Sequence, residues 1–78
     1  MKTISDLTDA LAKAFNENLI QNFFVSAYFI DIDFDSRDDA TMNSIFQLRD
    51  YILANYPKIH SIDYMPIIHR LRLYLCDL

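Results

Sequence analysis

The sequence predicts a small α+β protein in which two helices pack on one face of a two- or three-stranded sheet. Two stretches place apolar residues at helical spacing, and two others alternate apolar and charged residues with the period of a half-buried strand. The 78 residues include no Gly, which disfavours folds rich in tight hairpins. We expect the order α-β-α-β-β or α-β-α-β within a single domain, residues 1–78.

The first helix is predicted to begin at an N-cap formed by Thr3 or Ser5, because a hydroxyl oxygen there accepts a hydrogen bond from a free first-turn amide. Asp6 then lies near the positive end of the helix. The apolar face of this helix carries Leu7, Leu11, Ala14 and Phe15. We place its end near Asn18, because the polar residues before it are weak helix formers.

Residues 23–34 are predicted to form one strand, since they are rich in aromatic and β-branched types. One face of this strand begins with apolar residues and continues with acidic ones, namely Phe23, Val25, Phe29, Asp31, Asp33 and Asp35. Twelve residues rising ~3.3 Å each span about 40 Å, whereas a compact chain of this length is roughly 30 Å across. Either the strand is shorter, near Val25 to Phe34, or part of it projects and pairs with a second subunit.

The second helix is predicted from about Asp39 to Asn55, with Ser36 as the capping residue. Its apolar stripe consists of Met42, Ile45, Leu48, Ile52 and Tyr56. Pro57 ends it, because proline cannot continue the hydrogen-bond ladder. Such a helix can serve as a crossover between two parallel strands.

The last third of the chain contains a clear alternation. Residues 69–76 alternate charged and apolar types, which favours a strand, although a helix starting at Pro66 would also align several apolar residues. Residues 58–64 alternate more weakly and are predicted as a short strand or an irregular link.

Composition limits the classes of partner. The net charge is −4 and the basic residues are scattered, which excludes a phosphate-binding face and direct nucleic-acid binding. A single cysteine, an N-terminus without an apolar core and no membrane-length apolar run together predict a cytoplasmic protein that does not bind membranes. Hydrophobic residues make up 53% of the chain, more than a small domain easily buries, which predicts an apolar interface and a homodimer.

The acidic residues of the predicted first strand have three interpretations. If this strand pairs with residues 69–76, Asp31 and Asp33 meet Arg70 and Arg72 across the ladder. Alternatively, the segment from Asp31 to Asp39 imitates phosphates and acts as a decoy for a nucleic-acid-binding protein, because five Asp and one Arg leave a local charge of −4.

The third interpretation is a carboxylate-dependent divalent-metal site, since hard cations prefer oxygen ligands. A calcium loop starting at Asp31 fits poorly. Its sixth position is Ser36 where Gly is needed, and its twelfth is Met42 where a bidentate Glu is needed. We therefore assign no residue as a metal ligand.

Catalytic signals are lacking. His60 and His69 have no Cys or carboxylate at ligand spacing and are predicted to be surface or interface residues. Cys76 is predicted to be a half-buried structural residue, and without Gly neither a nucleophile elbow nor a phosphate loop can form. The sequence thus predicts no enzyme and no cofactor.

The function that the sequence favours is a protein-interaction module, homodimeric and regulatory or inhibitory. The predicted partner-binding residues are Phe23, Val25, Phe29, Asp31, Asp33 and Asp35, because aromatic residues dominate interface hot spots and the first half of this strand is apolar on both faces. A further protein partner is also expected.

Overall fold

The computed structural model describes residues 2–76, which form two helices and one four-stranded antiparallel sheet. In chain order the elements are α1 (Ile4–Asn16), β1 (Asn22–Val25), β2 (Phe29–Asp33), α2 (Asp39–Asn55), β3 (Ile59–Met65) and β4 (Arg70–Leu75). The strands lie in the order β1-β2-β4-β3. The α+β class is confirmed, whereas the predicted strand number and both element orders are partly wrong, because the single strand predicted between the helices is two strands, β1 and β2.

The second helix connects two parallel strands, as predicted. β2 and β3 each pair antiparallel with β4, which lies between them, so β2 and β3 run in the same direction. α2 is therefore the crossover of a split β-α-β unit, and its bounds match the prediction. Its N-cap is Asp38 rather than Ser36.

The first helix begins as predicted and ends two residues early. The Thr3 hydroxyl accepts a hydrogen bond from the Asp6 amide, and the Asp6 carboxylate accepts one from the Thr3 amide, which makes a reciprocal capping box. α1 ends at Asn16, and Asn18 then adopts a φ of 59°. Asparagine tolerates this left-handed conformation, so it does here what Gly often does after a helix.

The prediction of one strand over residues 23–34 is wrong, because the chain turns back after Val25. The backbone amide of Ser26 donates to the Phe29 carbonyl over 2.9 Å, which closes a two-residue loop. The Ser26 hydroxyl donates to the same carbonyl and accepts from the amides of Tyr28 and Phe29. A serine side chain thus stabilises a tight hairpin turn, which the absence of Gly was expected to disfavour.

The second hairpin joins β3 to β4 through residues 66–69. His69 takes a φ of 54° there, and its carbonyl accepts from the Phe34 amide over 3.0 Å. β4 confirms the predicted strand in residues 69–76, and the helix alternative from Pro66 is wrong. The link over residues 58–64 is also a strand. Two hairpins therefore form in a chain without Gly, contrary to our expectation.

The core lies between the helices and one face of the sheet. In the central strands, Ile30 is opposite Leu73 and Ile32 is opposite Leu71. These four side chains form one buried cluster with residues of both helices, including Leu7, Leu11, Ile45 and Ile52. Both helices therefore pack on the same face, as predicted, and the described residues leave the opposite face of the sheet open.

We expect the core to dominate stability, which a matched pair of isoleucine substitutions tests. Ile32 is 0% exposed and Ile67 is 89% exposed. Ile32→Ala should lower the free energy of unfolding by about 2–5 kcal/mol, because it leaves a cavity, whereas Ile67→Ala should change it by less than about 0.5 kcal/mol. Urea denaturation measures both, and equal effects would contradict this packing.

Candidate functional site

The six predicted partner-binding residues lie on two different faces. Phe23 and Val25 are opposite Ile32 and Ile30, so their side chains share the helix-covered face. The other predicted residues differ: Phe29, Asp31 and Asp33 lie on the open face, and Asp35 lies exposed beyond the end of β2. The single shared face was a wrong expectation, because the hairpin between β1 and β2 breaks the alternation on which it depended.

An ion-pair ladder crosses the open face, as the pairing of acidic and basic strands predicted. Arg72 is opposite Asp31 and binds its two carboxylate oxygens through Nε at 2.8 Å and Nη2 at 3.0 Å. Arg70 is opposite Asp33 and binds it in the same two-bond manner, at 2.5 and 3.2 Å. Two parallel hydrogen bonds fix each guanidinium in the plane of its carboxylate.

Asp31 is buried although it lies on the face that no helix covers. Its side chain is 6% exposed, because Arg70 also approaches it at 3.4 Å and Arg72 folds over it. The Arg72 guanidinium in turn stacks on the Phe29 ring, 4.3 Å from the ring centre. The hydrogen bonds that Arg70 donates to Asp33, and that Arg72 donates to Asp31, raise the pKa of each guanidinium, so both arginines stay cationic.

Aromatic side chains border this ladder on the open face. Phe24 is opposite Asp31, and its ring centre lies 6.2 Å from that of Phe29. Tyr74 is opposite Phe29 on the next strand. Sequence reasoning missed Phe24 and Tyr74, because alternation along one continuous strand would put Phe24 on the same face as Ile30 and Ile32. The hairpin reversed this assignment.

The free edge of β1 is apolar and exposed. Because the Ser26 amide bonds to β2, ladder alternation directs the backbone amides and carbonyls of Phe23 and Val25 away from β2, towards the edge. The Phe23 amide donates there to Oδ1 of Asn22 over 2.9 Å. β1 contains no charged residue and no proline. The exposed apolar side chains at and near this end of the sheet are Phe15, Leu19, Phe24, Val25 and Tyr28. Such an edge is a template for pairing with another strand.

The opposite edge, β3, is protected. A register irregularity between Ile59 and Ser61 interrupts its ladder, and Asp63 is exposed within it. Pro57 and Pro66 flank the strand on either side. Bulges, charges and prolines are the usual means by which natural sheets prevent edge pairing. The two edges of this sheet are therefore unequal, and only β1 offers a ready template.

His69 is a buried structural residue, which corrects its predicted surface position. It is 2% exposed, and Nδ1 lies 2.8 Å from the Tyr64 hydroxyl. Nε2 bonds to the Ser36 carbonyl, which only accepts, so this nitrogen carries the proton. His69 thereby ties the β3–β4 turn to the loop before α2. His60 is exposed, as predicted, and Cys76 is a partly exposed free thiol.

The acidic segment from Asp31 to Asp39 is less available than its composition suggests. Asp31 and Asp33 are bound by arginines, and Asp38 caps α2 by accepting from the Thr41 amide over 2.7 Å. That hydrogen bond, with a second from the Ser36 hydroxyl, lowers the pKa of Asp38. Among residues 2–76, no three His, Cys, Asp or Glu side chains form a group able to hold a metal ion.

Comparison with protein-family models, curated proteins and solved structures finds no match to this chain. Function must therefore be argued from the surface itself. Neither helix in residues 2–76 has the length and apolarity to cross a bilayer.

The buried ladder should matter more than an exposed ion pair of similar composition. Arg49 pairs with Asp50 and lies over the Phe46 ring, which repeats the arrangement of Arg72 with its aspartate and its aromatic ring. The Asp50 side chain, however, is 70% exposed. We expect Arg72→Met to lower Tm by several degrees, because it leaves a buried carboxylate with one weaker partner. Arg49→Met should change Tm little. Differential scanning fluorimetry measures both, and equal shifts would argue against the ladder.

Because Asp38 caps α2 as a charged carboxylate, the free energy of unfolding should fall at acidic pH. A carboxylate whose pKa is lowered in the folded state contributes stability above its unfolded pKa, and this is lost as pH falls through the folded pKa. Asp38→Asn retains a good N-cap without the charge. The variant should therefore lose stability less steeply than the wild type below about pH 4. Urea midpoints across this range test it, and parallel curves would refute the assignment.

Proposed function

We propose that this chain is a non-enzymatic protein-interaction module that forms a homodimer through the edge of β1. The observation that carries the proposal is the contrast between the two sheet edges. β3 has an irregular ladder, an exposed acidic residue and flanking prolines, whereas β1 has none of these features and is bordered by exposed aromatic side chains. An unprotected, apolar edge strand is stable in solution when a second strand covers it.

Self-pairing of β1 is geometrically simple. A twofold axis beside β1 would pair two copies of the strand antiparallel and would extend each four-stranded sheet into one of eight strands. The outward backbone groups of Val25 and the Phe23 carbonyl would supply hydrogen bonds, and the Phe23 amide would join them by exchanging its bond to the Asn22 side chain. Phe24 and Tyr28, exposed beside the edge, would add apolar burial across the axis.

A regulatory or inhibitory role follows from how such a dimer would act. It would present two open sheet faces side by side, each with a rigid ladder of Asp31, Asp33 and two arginines and the Phe29 ring beside it. Rigid, preorganised side chains lose little entropy on binding, which favours a surface that docks onto a further protein. Asp35 lies at the rim of this face, where charges set orientation and association rate.

The two alternative functions have less support. An acidic decoy would use the segment from Asp31 to Asp39, but two of its five carboxylates are neutralised by Arg70 and Arg72 and a third caps α2. A divalent-metal site would need Asp31 and Asp33 as ligands, and both pairs of oxygens already bind guanidinium groups.

The dimer proposal predicts a mass of about 18 kDa at micromolar concentration, twice the 9.2 kDa of one chain. Val25→Lys places a charge at the β1 edge and should shift the mass to the monomer value, because charges block strand addition. His60→Lys places the same charge on the exposed surface of β3 and should leave the dimer intact. Multi-angle light scattering measures all three proteins.

Two results would contradict this proposal. A monomeric wild type at these concentrations would remove the dimer altogether. A Val25→Lys variant as dimeric as the wild type, with an unchanged circular dichroism spectrum, would show that copies associate elsewhere.

A further inference from the structure

An apolar groove runs between the two helices. One cavity of about 240 Å³ is lined by Leu7, Leu11 and Tyr56, and a second of about 490 Å³ by Phe34, Thr41 and Ile45. Ala14, Ile20 and Leu48 line both cavities, so the two lie next to each other between α1 and α2. Along α2 the groove extends from Thr41 to Tyr56, about 22 Å at 1.5 Å per residue.

The ends of the groove differ in charge. Lys2 lines the cavity beside Tyr51 and Tyr56. An adjoining cavity of about 460 Å³ is lined by Lys2 and Lys58. Among the described residues that line these three cavities, none is acidic, although the chain has a net charge of −4. Positive charge is thus concentrated at one end of an otherwise apolar channel.

We propose that this groove binds a free fatty acid, with its acyl chain between α1 and α2 and its carboxylate beside Lys2 and Lys58. Two neighbouring apolar cavities along about 22 Å of α2 suit a single flexible chain, and the two lysines at one end complement one anionic headgroup. The combined volume of the two cavities between the helices falls within the range of small-molecule pockets. The nearest acidic group on α1, Asp6, is engaged in the capping box and lines none of the three cavities.

The groove is independent of the β1 edge, so the two proposals fail separately. Val25 lies on β1 and lines none of the three cavities; the lining residues nearest to β1 in the chain are Leu19, Ile20 and Ala27 of the hairpin turn. A Val25→Lys monomer should therefore bind the acid as the wild type does.

Titration of dodecanoate, below its micelle concentration, into the wild-type chain tests the site by isothermal calorimetry. The structure predicts saturable binding with one acid per chain. Lys2→Gln and Lys58→Gln should each weaken it roughly 2- to 5-fold, the range of an exposed ion pair. Lys13→Gln is the matched control, because Lys13 is exposed in the last turn of α1 and lines none of these cavities, and it should bind like the wild type.

Filling the groove tests the position of the acyl chain. Ala14→Trp occupies the section shared by both cavities and should weaken binding about tenfold or more. Should this variant not fold, dodecanoate-induced NMR shifts in the wild type replace it, and they should concentrate at Ile20, Leu48 and Tyr51.

Four results would overturn the proposal. If dodecanoate does not bind saturably, the groove is not a fatty-acid site. If dodecanol binds as tightly as dodecanoate, the lysines do not recognise the carboxylate. If the NMR shifts lie outside the groove, the acid binds elsewhere. Binding to anionic phospholipid vesicles without binding to free dodecanoate would indicate a membrane surface instead.

Discussion

The pairing of β2 with β4 is the interaction on which the rest of this structure depends. These two central strands bring Ile30 and Ile32 against Leu71 and Leu73 on one face, and the acidic residues of β2 against the arginines of β4 on the other. A single register therefore gives apolar contacts on one face of the sheet and ion pairs on the other. A slip by one residue would expose the isoleucines and bury the carboxylates against the helices, so charge and apolarity specify the same alignment.

Because of this alignment, the aspartates of β2 do not form a free anionic surface. The aspartates look like a free anionic patch in the sequence, yet Asp31 is among the most buried polar residues, beneath two arginines. A buried ion pair contributes more to specificity of register than to net stability, because desolvation offsets much of the attraction. The surface it leaves is rigid and nearly neutral, with aromatic borders, which suits a protein partner better than a metal or a basic ligand.

The sheet order determines which surfaces remain for function. Because β4 inserts between β2 and β3, the short β1 strand lies at one edge, and the protected β3 strand lies at the other. The two helices contact opposite margins of the sheet, α1 near β1 and α2 near β3, and leave the apolar groove between them. The exposed edge and the groove thus both follow from the placement of six elements around one central strand pair.

Local patterns in the sequence determined much of the fold. Helical spacing between Asp38 and Pro57 predicted α2 with its correct bounds, and the capping signal at Thr3 predicted the start of α1. The alternation of arginines with leucines predicted β4 and its pairing with the aspartates. These elements were predictable because nearby residues set their periodicity, their caps and their breakers.

Only the tertiary structure decided where the chain reverses and which side chains are buried. No sequence signal marked the turn after Val25, because a serine hydroxyl supplies hydrogen bonds there in place of Gly. That turn moved Phe23 and Val25 to the opposite face from Phe29. The burial of His69 depends on Tyr64 and Ser36, which are brought together by the sheet and a loop. Contacts between residues far apart in the chain carry this information, and no local pattern encodes it.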